Sequence, residues 1–98
     1  MIIMYGINSR VYDNLIKYFK ENHRIISVKL VGSRATGKEK VNSDIDLCIE
    51  CIDCSKGTIV NDIDEIVGIY SCDVVFEDAL NEEIRNQICR DGVVIYKR

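Results

Sequence analysis

The chain has 98 residues, 47% of them hydrophobic and 30% charged, with a net charge of −3, which fits one globular domain over 1–98 and argues against a nucleic-acid module held by phosphate contacts. No stretch approaches the ~20 apolar residues of a membrane span, and residues 1–5 are too short, and lack the basic flank, for a secretory signal. Five cysteines, an odd number, without such a signal read as reduced thiols in a cytoplasm.

In chain order, Asn8 or Ser9 caps a first helix. Val11, Leu15, Tyr18, Phe19 and Asn22 recur at helical spacing, Tyr12 and Ile16 widen the stripe, and Lys17, Lys20 and Glu21 take the outer face. The helix ends near Asn22 and His23, where the single histidine suits the negative end of the helix dipole. Ile26, Val28 and Leu30 alternate with Ser27 and Lys29 as a half-buried strand over 25–31. Gly32-Ser33 then turns the chain, and 37–43 is a polar loop from which Lys38 and Lys40 can reach an anion. In the next strand Ile45, Leu47 and Ile49 share one face, and Asp44, Asp46 and Cys48 the other.

Residues 55–70 read as a second helix with Ile59, Ile63, Ile66 and Tyr70 on one stripe and Val67 beside it. A short strand, 72–76, carries Asp73. Asn81 caps a third helix with Glu82 and Glu83 in its first turn, Ile84 and Ile88 facing inward and Gly92 stopping it. Residues 93–96 form a last strand. The order α-β-β-α-β-α-β predicts an antiparallel pair around the 32–46 segment and parallel pairing where helices join strands. The fold class is therefore α/β (α+β): a mixed β-sheet covered by helices.

Two carboxylates at i and i+2 on a strand, Asp44 and Asp46, offer hard oxygen ligands to a divalent metal. Gly32-Ser33, before a helical turn, offers backbone N–H groups and a hydroxyl to a phosphate. Together they describe a site for a nucleoside triphosphate. Cys48-x2-Cys51-x2-Cys54 resembles the start of an iron–sulfur run. Ser55-Lys56-Gly57-Thr58 supplies no fourth cysteine, and Cys48 and Cys51 fall on opposite faces of a strand, so ordinary thiols are expected.

Gly32-Ser33, ten intervening residues and Asp44-x-Asp46 resemble the G-S-x10-D-x-D motif of the DNA-polymerase-β-like nucleotidyltransferase superfamily. The run Gly32-Ser33-Arg34-Ala35-Thr36-Gly37 looks most like the minimal nucleotidyltransferase (MNT) branch, usually written G-S-R-A-R-G, with Thr36 replacing the second arginine. The resemblance implies a polymerase-β-like fold and a third carboxylate on a later strand, which Asp73 in C-D-V-V-F-E-D supplies. It implies that Asp44, Asp46 and Asp73 are the catalytic residues and hold two Mg²⁺ ions. Asp73 also helps activate the acceptor, while Gly32, Ser33 and Arg34 bind the phosphates of ATP.

The MNT branch typically works beside a HEPN-type helical toxin, as an antitoxin that transfers AMP to a tyrosine of that partner. The last strand falls close to Arg98, so the acceptor's second wall is expected from a partner chain. Two other functions fit the motif: the catalytic subunit of a small-molecule, aminoglycoside-type nucleotidyltransferase, and a non-catalytic nucleotide-binding antitoxin acting by occlusion.

Overall fold

The computed structural model of the chain describes residues 3–40 and 43–98, with side chains from residue 5 onward. Val41 and Asn42, within the expected polar loop, lie outside the described residues, as do residues 1–2. Four strands form a mixed sheet: β3 (Ile25–Val31), β4 (Ile45–Cys51), β5 (Cys72–Phe76) and β6 (Val93–Lys97), in the spatial order β5-β4-β3-β6. Before them stands a hairpin of β1 (Ile3–Met4) and β2 (Ile7–Asn8) that the periodicity of the sequence did not reveal. Its two turn residues, Tyr5 and Gly6, have φ of 55° and 73°. Such a turn matches the twist of paired strands, but tyrosine is rare in the left-handed region, so the sequence signal was weak.

The strands around the motif, β3 and β4, pair antiparallel as expected, and β4 pairs parallel to β5 across the intervening helix α2 (Lys56–Val67). The expectation of parallel pairing fails for β6. The chain leaves β5 through α3 (Glu82–Asp91), crosses the sheet and lays β6 antiparallel on the far edge, against β3.

The core forms between one sheet face and two helices, α1 (Ser9–Glu21) and α2. Asn8 caps α1 by accepting the Arg10 N–H at 2.9 Å, and Leu15 and Phe19 are fully buried from its inner stripe. Ile59, Ile63 and Val67 do the same from α2, at i, i+4, i+8. Gly68, at φ 61°, ends α2 earlier than expected, which leaves Ile66 half-buried and puts Tyr70 in the following turn. Ile45, Leu47 and Ile49 meet these helices from β4, as the alternation predicts. On β3 a bulge between Ile25 and Ser27 shifts the pattern, so Ile25, Val28 and Leu30 are buried and Ile26 only half-buried.

Helix α3 corrects another expectation. Asn81 caps it, accepting the Ile84 N–H at 2.8 Å. None of its residues is buried, however; Ile84 is 43% exposed. It stands off the second face of the sheet, and its isoleucines line a cleft there instead of joining the core. The reduced-thiol expectation also fails at one pair, since Cys51 and Cys54 are joined by a disulfide, while Cys48, Cys72 and Cys89 are free. The tight turn after β4 brings the two sulfurs together. Among the described residues no helix is long and apolar enough to cross a membrane.

The two isoleucine sets separate in a stability measurement. Ile63→Ala should cost about 2–5 kcal/mol in urea unfolding, because it leaves a cavity in a closed core. Ile84→Ala should cost under about 1 kcal/mol, because solvent already reaches the side chain.

Candidate active site

The site begins where β3 ends. Val31 pairs with Asp46 across the β3–β4 ladder, so the next residue, Gly32, comes to rest against the Asp46 side chain. A Cβ on Gly32 would collide with Asp46 Oδ2. Gly32 also sits at φ 75°, where L side chains are strained. Both conditions call for glycine. The chain then makes a 3-10 turn, Gly32–Arg34, closed by two bonds to the Ser33 carbonyl: from the Lys38 N–H at 2.8 Å and from Thr36 Oγ1 at 3.2 Å.

Two of the three expected carboxylates, Asp46 and Asp73, come together beside this turn. Asp46 lies on β4 and Asp73 on β5, opposite one another in the parallel register, so their side chains leave the same sheet face on strands about 4.8 Å apart. Asp44 precedes β4 by one residue and is exposed. Burial raises the Asp46 carboxyl above its ordinary value, the charges of Asp73 and Asp44 raise it further, and Arg34 pulls it down. The same field reaches Cys72, whose thiol is pushed up to about 12 by burial first and then by Asp46, Asp73, Asp64 and Asp44. That thiol stays protonated at neutral pH and is no nucleophile.

Asp46, Asp73, Gly32 and Thr36 form one end of a cleft of about 670 Å³ between the sheet and α3. Its other walls are mostly aliphatic, with Val74, Leu80, Ile84 and Ile88 prominent, and Gln87 and Asp91 of α3 add polar groups. The sequence did not identify this wall. The i, i+4 pair Ile84 and Ile88 was visible but could not be told from a core stripe.

Of the expected phosphate ligands, Gly32 and Ser33 form the turn beside the carboxylates, while Arg34 has another position. It is 2% exposed, donating from Nη1 to the Tyr5 carbonyl at 3.2 Å and from Nη2 to the Ser43 carbonyl at 2.7 Å, with its guanidinium 5.4 Å from the centre of the Tyr70 ring. Its Nε is buried without a hydrogen-bond partner. The cation therefore ties the hairpin turn to the residue before Asp44, and its contacts are backbone carbonyls where a phosphate contact was expected. Lys38 and Lys40 are exposed on the loop.

Among the described residues, no three His, Cys, Asp or Glu side chains are gathered closely enough to form a ready metal cage. The donor set nonetheless suits Mg²⁺: hard oxygens on adjacent strands, held near one another against their mutual repulsion.

A glycine turn packed on an acidic strand pair, in a mixed sheet with two covering helices, defines a nucleotidyltransferase-type domain. The family model for polymerase beta nucleotidyltransferases matches residues 13–98, and the chain belongs to that family. No curated protein matches it in sequence. Among solved structures it is similar to a toxin–antitoxin complex with AMP-PNP, at 19% identity and a TM-score of 0.73, covering 89% of this chain and 73% of that one. It is similar also to a tri-AMPylated Shewanella oneidensis HEPN toxin in complex with MNT antitoxin (15% identity, TM-score 0.65, covering 90% and 71%). A third similar structure is a Sulfolobus solfataricus protein described as a nucleotidyltransferase, at 22% identity and a TM-score of 0.56, covering 97% and 81%. The fold is that of these proteins.

The strain in the acidic pair has a measurable sign. Folded Asp46 holds its proton at pH values where the unfolded chain has lost it. The associated stability is full below the ordinary value of 3.8 and is lost as pH rises through the raised folded value. In chelator at neutral pH, Asp46→Asn should therefore melt at a higher temperature than the wild type, and the gap should close on acidification. Mg²⁺ should raise the wild-type melting temperature and leave Asp46→Asn nearly unmoved. Scanning calorimetry at several pH values, with and without Mg²⁺, checks both.

Proposed function

We propose that the chain is a nucleotidyltransferase domain that moves AMP from Mg-ATP to a hydroxyl, with a tyrosine of a HEPN-type toxin as the acceptor, and that it acts in the cytoplasm as the antitoxin. The observation that carries this reading is the placement of Asp46 and Asp73 in one register, facing a cleft that Gly32 and Thr36 also line. The choice of acceptor rests on the likeness to a complex of MNT antitoxin with a tri-AMPylated HEPN toxin, and to a toxin–antitoxin structure with AMP-PNP.

In this reading Asp44, Asp46 and Asp73 would hold two Mg²⁺ ions, whose charge when bound offsets that of the triphosphate and of the departing pyrophosphate. Gly32 allows the backbone N–H groups to approach the phosphates, and the Ser33 hydroxyl donates to one of them. Asp73 is exposed on the edge strand β5, where an incoming hydroxyl can reach it. It accepts the hydroxyl proton as that oxygen attacks the α-phosphorus and pyrophosphate leaves on the opposite side. Arg34 keeps the turn and the Asp44 segment in place through its carbonyl contacts. The attacking oxygen must be held within about 3–3.5 Å of phosphorus, and the partner's surface supplies that positioning.

Intact-mass spectrometry of the chain, Mg-ATP and the adjacent gene product tests the proposal. A gain of one or more AMP on the partner is expected, lost in Asp44→Asn, Asp46→Asn and Asp73→Asn and reduced in Ser33→Ala. Silencing of the partner without any mass gain would identify an occluding module. Efficient adenylylation of a free aminoglycoside by this chain alone would refute the protein acceptor.

A further inference from the structure

We propose that Cys51 and Cys54 form a reversible dithiol–disulfide site, open to exchange with small thiols, at the opposite end of β4 from the carboxylates. β4 ends at Cys51 and α2 begins at Lys56, so Cys51-Ile52-Asp53-Cys54 makes the passage from strand to helix within the parallel β4–α2–β5 unit. A C-x-x-C pair near a βαβ unit is a pattern of thiol–disulfide chemistry. The physical reason is that the positive end of the helix dipole favours a thiolate over a thiol.

The turn is built by contacts that do not involve sulfur. Asp53 adopts φ 48°, and Arg24 Nη1 donates to its carbonyl at 2.8 Å and to its carboxylate at 3.1 Å. The Ile52 N–H donates to the Arg24 carbonyl at 2.8 Å. These bonds fasten the turn to the residue before β3, so the two thiols remain neighbours after reduction and can close again. Access is open on the outside, where Ile52 is 62% exposed and Asp53 is also exposed. Cys51 and Cys54 are half-buried, with their inner sides packed against the core.

The placement favours exchange over bracing. A disulfide stabilises mainly by restricting the unfolded chain, and the effect grows with the loop it closes. A separation of three residues closes one of the shortest loops available. In a reducing compartment, disulfides that do form are usually exchangeable ones. Cys51 is also five residues beyond Asp46 along the strand, about 17 Å at roughly 3.3 Å per residue, so the chemistry is separate from nucleotidyl transfer.

The exchange balances with a small monothiol such as glutathione. One thiolate attacks a sulfur of the Cys51–Cys54 bond, forms a mixed disulfide and releases the other cysteine as a thiolate. A second monothiolate attacks the mixed disulfide, giving the oxidised monothiol and the second free cysteine. The protein gains two electrons and two protons, and two monothiols become one disulfide.

The test equilibrates the full chain at graded ratios of reduced to oxidised glutathione. Free thiols are then trapped with iodoacetamide, and the protein is weighed intact and mapped after proteolysis. Label on Cys51 and Cys54 should appear together in a single two-electron transition, with native circular dichroism on both sides of it. The exposed Cys89 serves as the one-thiol control. In Cys51→Ser, Cys54 should take up one glutathione. Full labelling of both cysteines in oxidised glutathione alone overturns the proposal. Resistance of the bond to excess reductant until urea unfolds the chain overturns it equally.

Discussion

The contact between Gly32 and the Asp46 carboxylate fixes the geometry of everything around it. A carboxylate leaning on a bare backbone is possible only because residue 32 has no side chain and adopts φ 75°. The β3–β4 ladder sets that approach by pairing Val31 with Asp46 one residue earlier. The glycine turn and the cleft-facing carboxylate of Asp46 are therefore one feature of a single antiparallel pair. An insertion in either strand would separate them, because a one-residue slip in register turns every side chain to the other face.

Arg34 is the second element on which this arrangement rests. A buried cation is costly unless paired, and Arg34 has hydrogen bonds to the Tyr5 and Ser43 carbonyls and a ring face at Tyr70. Gly6 belongs to the same arrangement, since a Cβ there would come within 2.8 Å of Arg34 Nη1. The cation thus links the β1–β2 turn, the Gly32–Arg34 turn and the entry to Asp44. It also lowers the cost of ionising Asp46. A basic side chain inside the fold helps the acidic cluster exist without standing in the cleft.

Much of this was legible in the sequence, and the omissions have physical causes. The Gly32–Asp46 spacing and the alternation of Ile45, Leu47 and Ile49 located the turn, the strand faces and the β3–β4 pairing. Asp73 was recognisable as a carboxylate on a later strand, and the parallel register then put it beside Asp46. The hairpin escaped because its turn uses a tyrosine in a left-handed conformation. The inward side of Arg34 escaped because its partners are backbone carbonyls distant in sequence, which no side-chain pattern encodes. Ile84 and Ile88 were misplaced because helical periodicity reports that one face is apolar and is silent on whether a core or a cleft lies opposite. The Cys51–Cys54 bond depends on a turn held by Arg24, a contact spanning 29 residues.

The two faces of the sheet divide the labour, and β4 shows how. With a side-chain period of two, its odd residues Ile45, Leu47 and Ile49 are buried under α1 and α2, while Asp46 points to the cleft. Packing on one face thereby holds a charged group in place on the other without touching it. Covering the second face as tightly would close the cleft and bury the carboxylates, whose charges would then go unpaired. α3 resolves the conflict by standing off, keeping its isoleucines over an open cleft and contributing none of its residues to the core. The stability lost by leaving that helix half-docked is the condition for an accessible acidic site, and the closed α1–α2 face is what makes that loss tolerable in so small a chain.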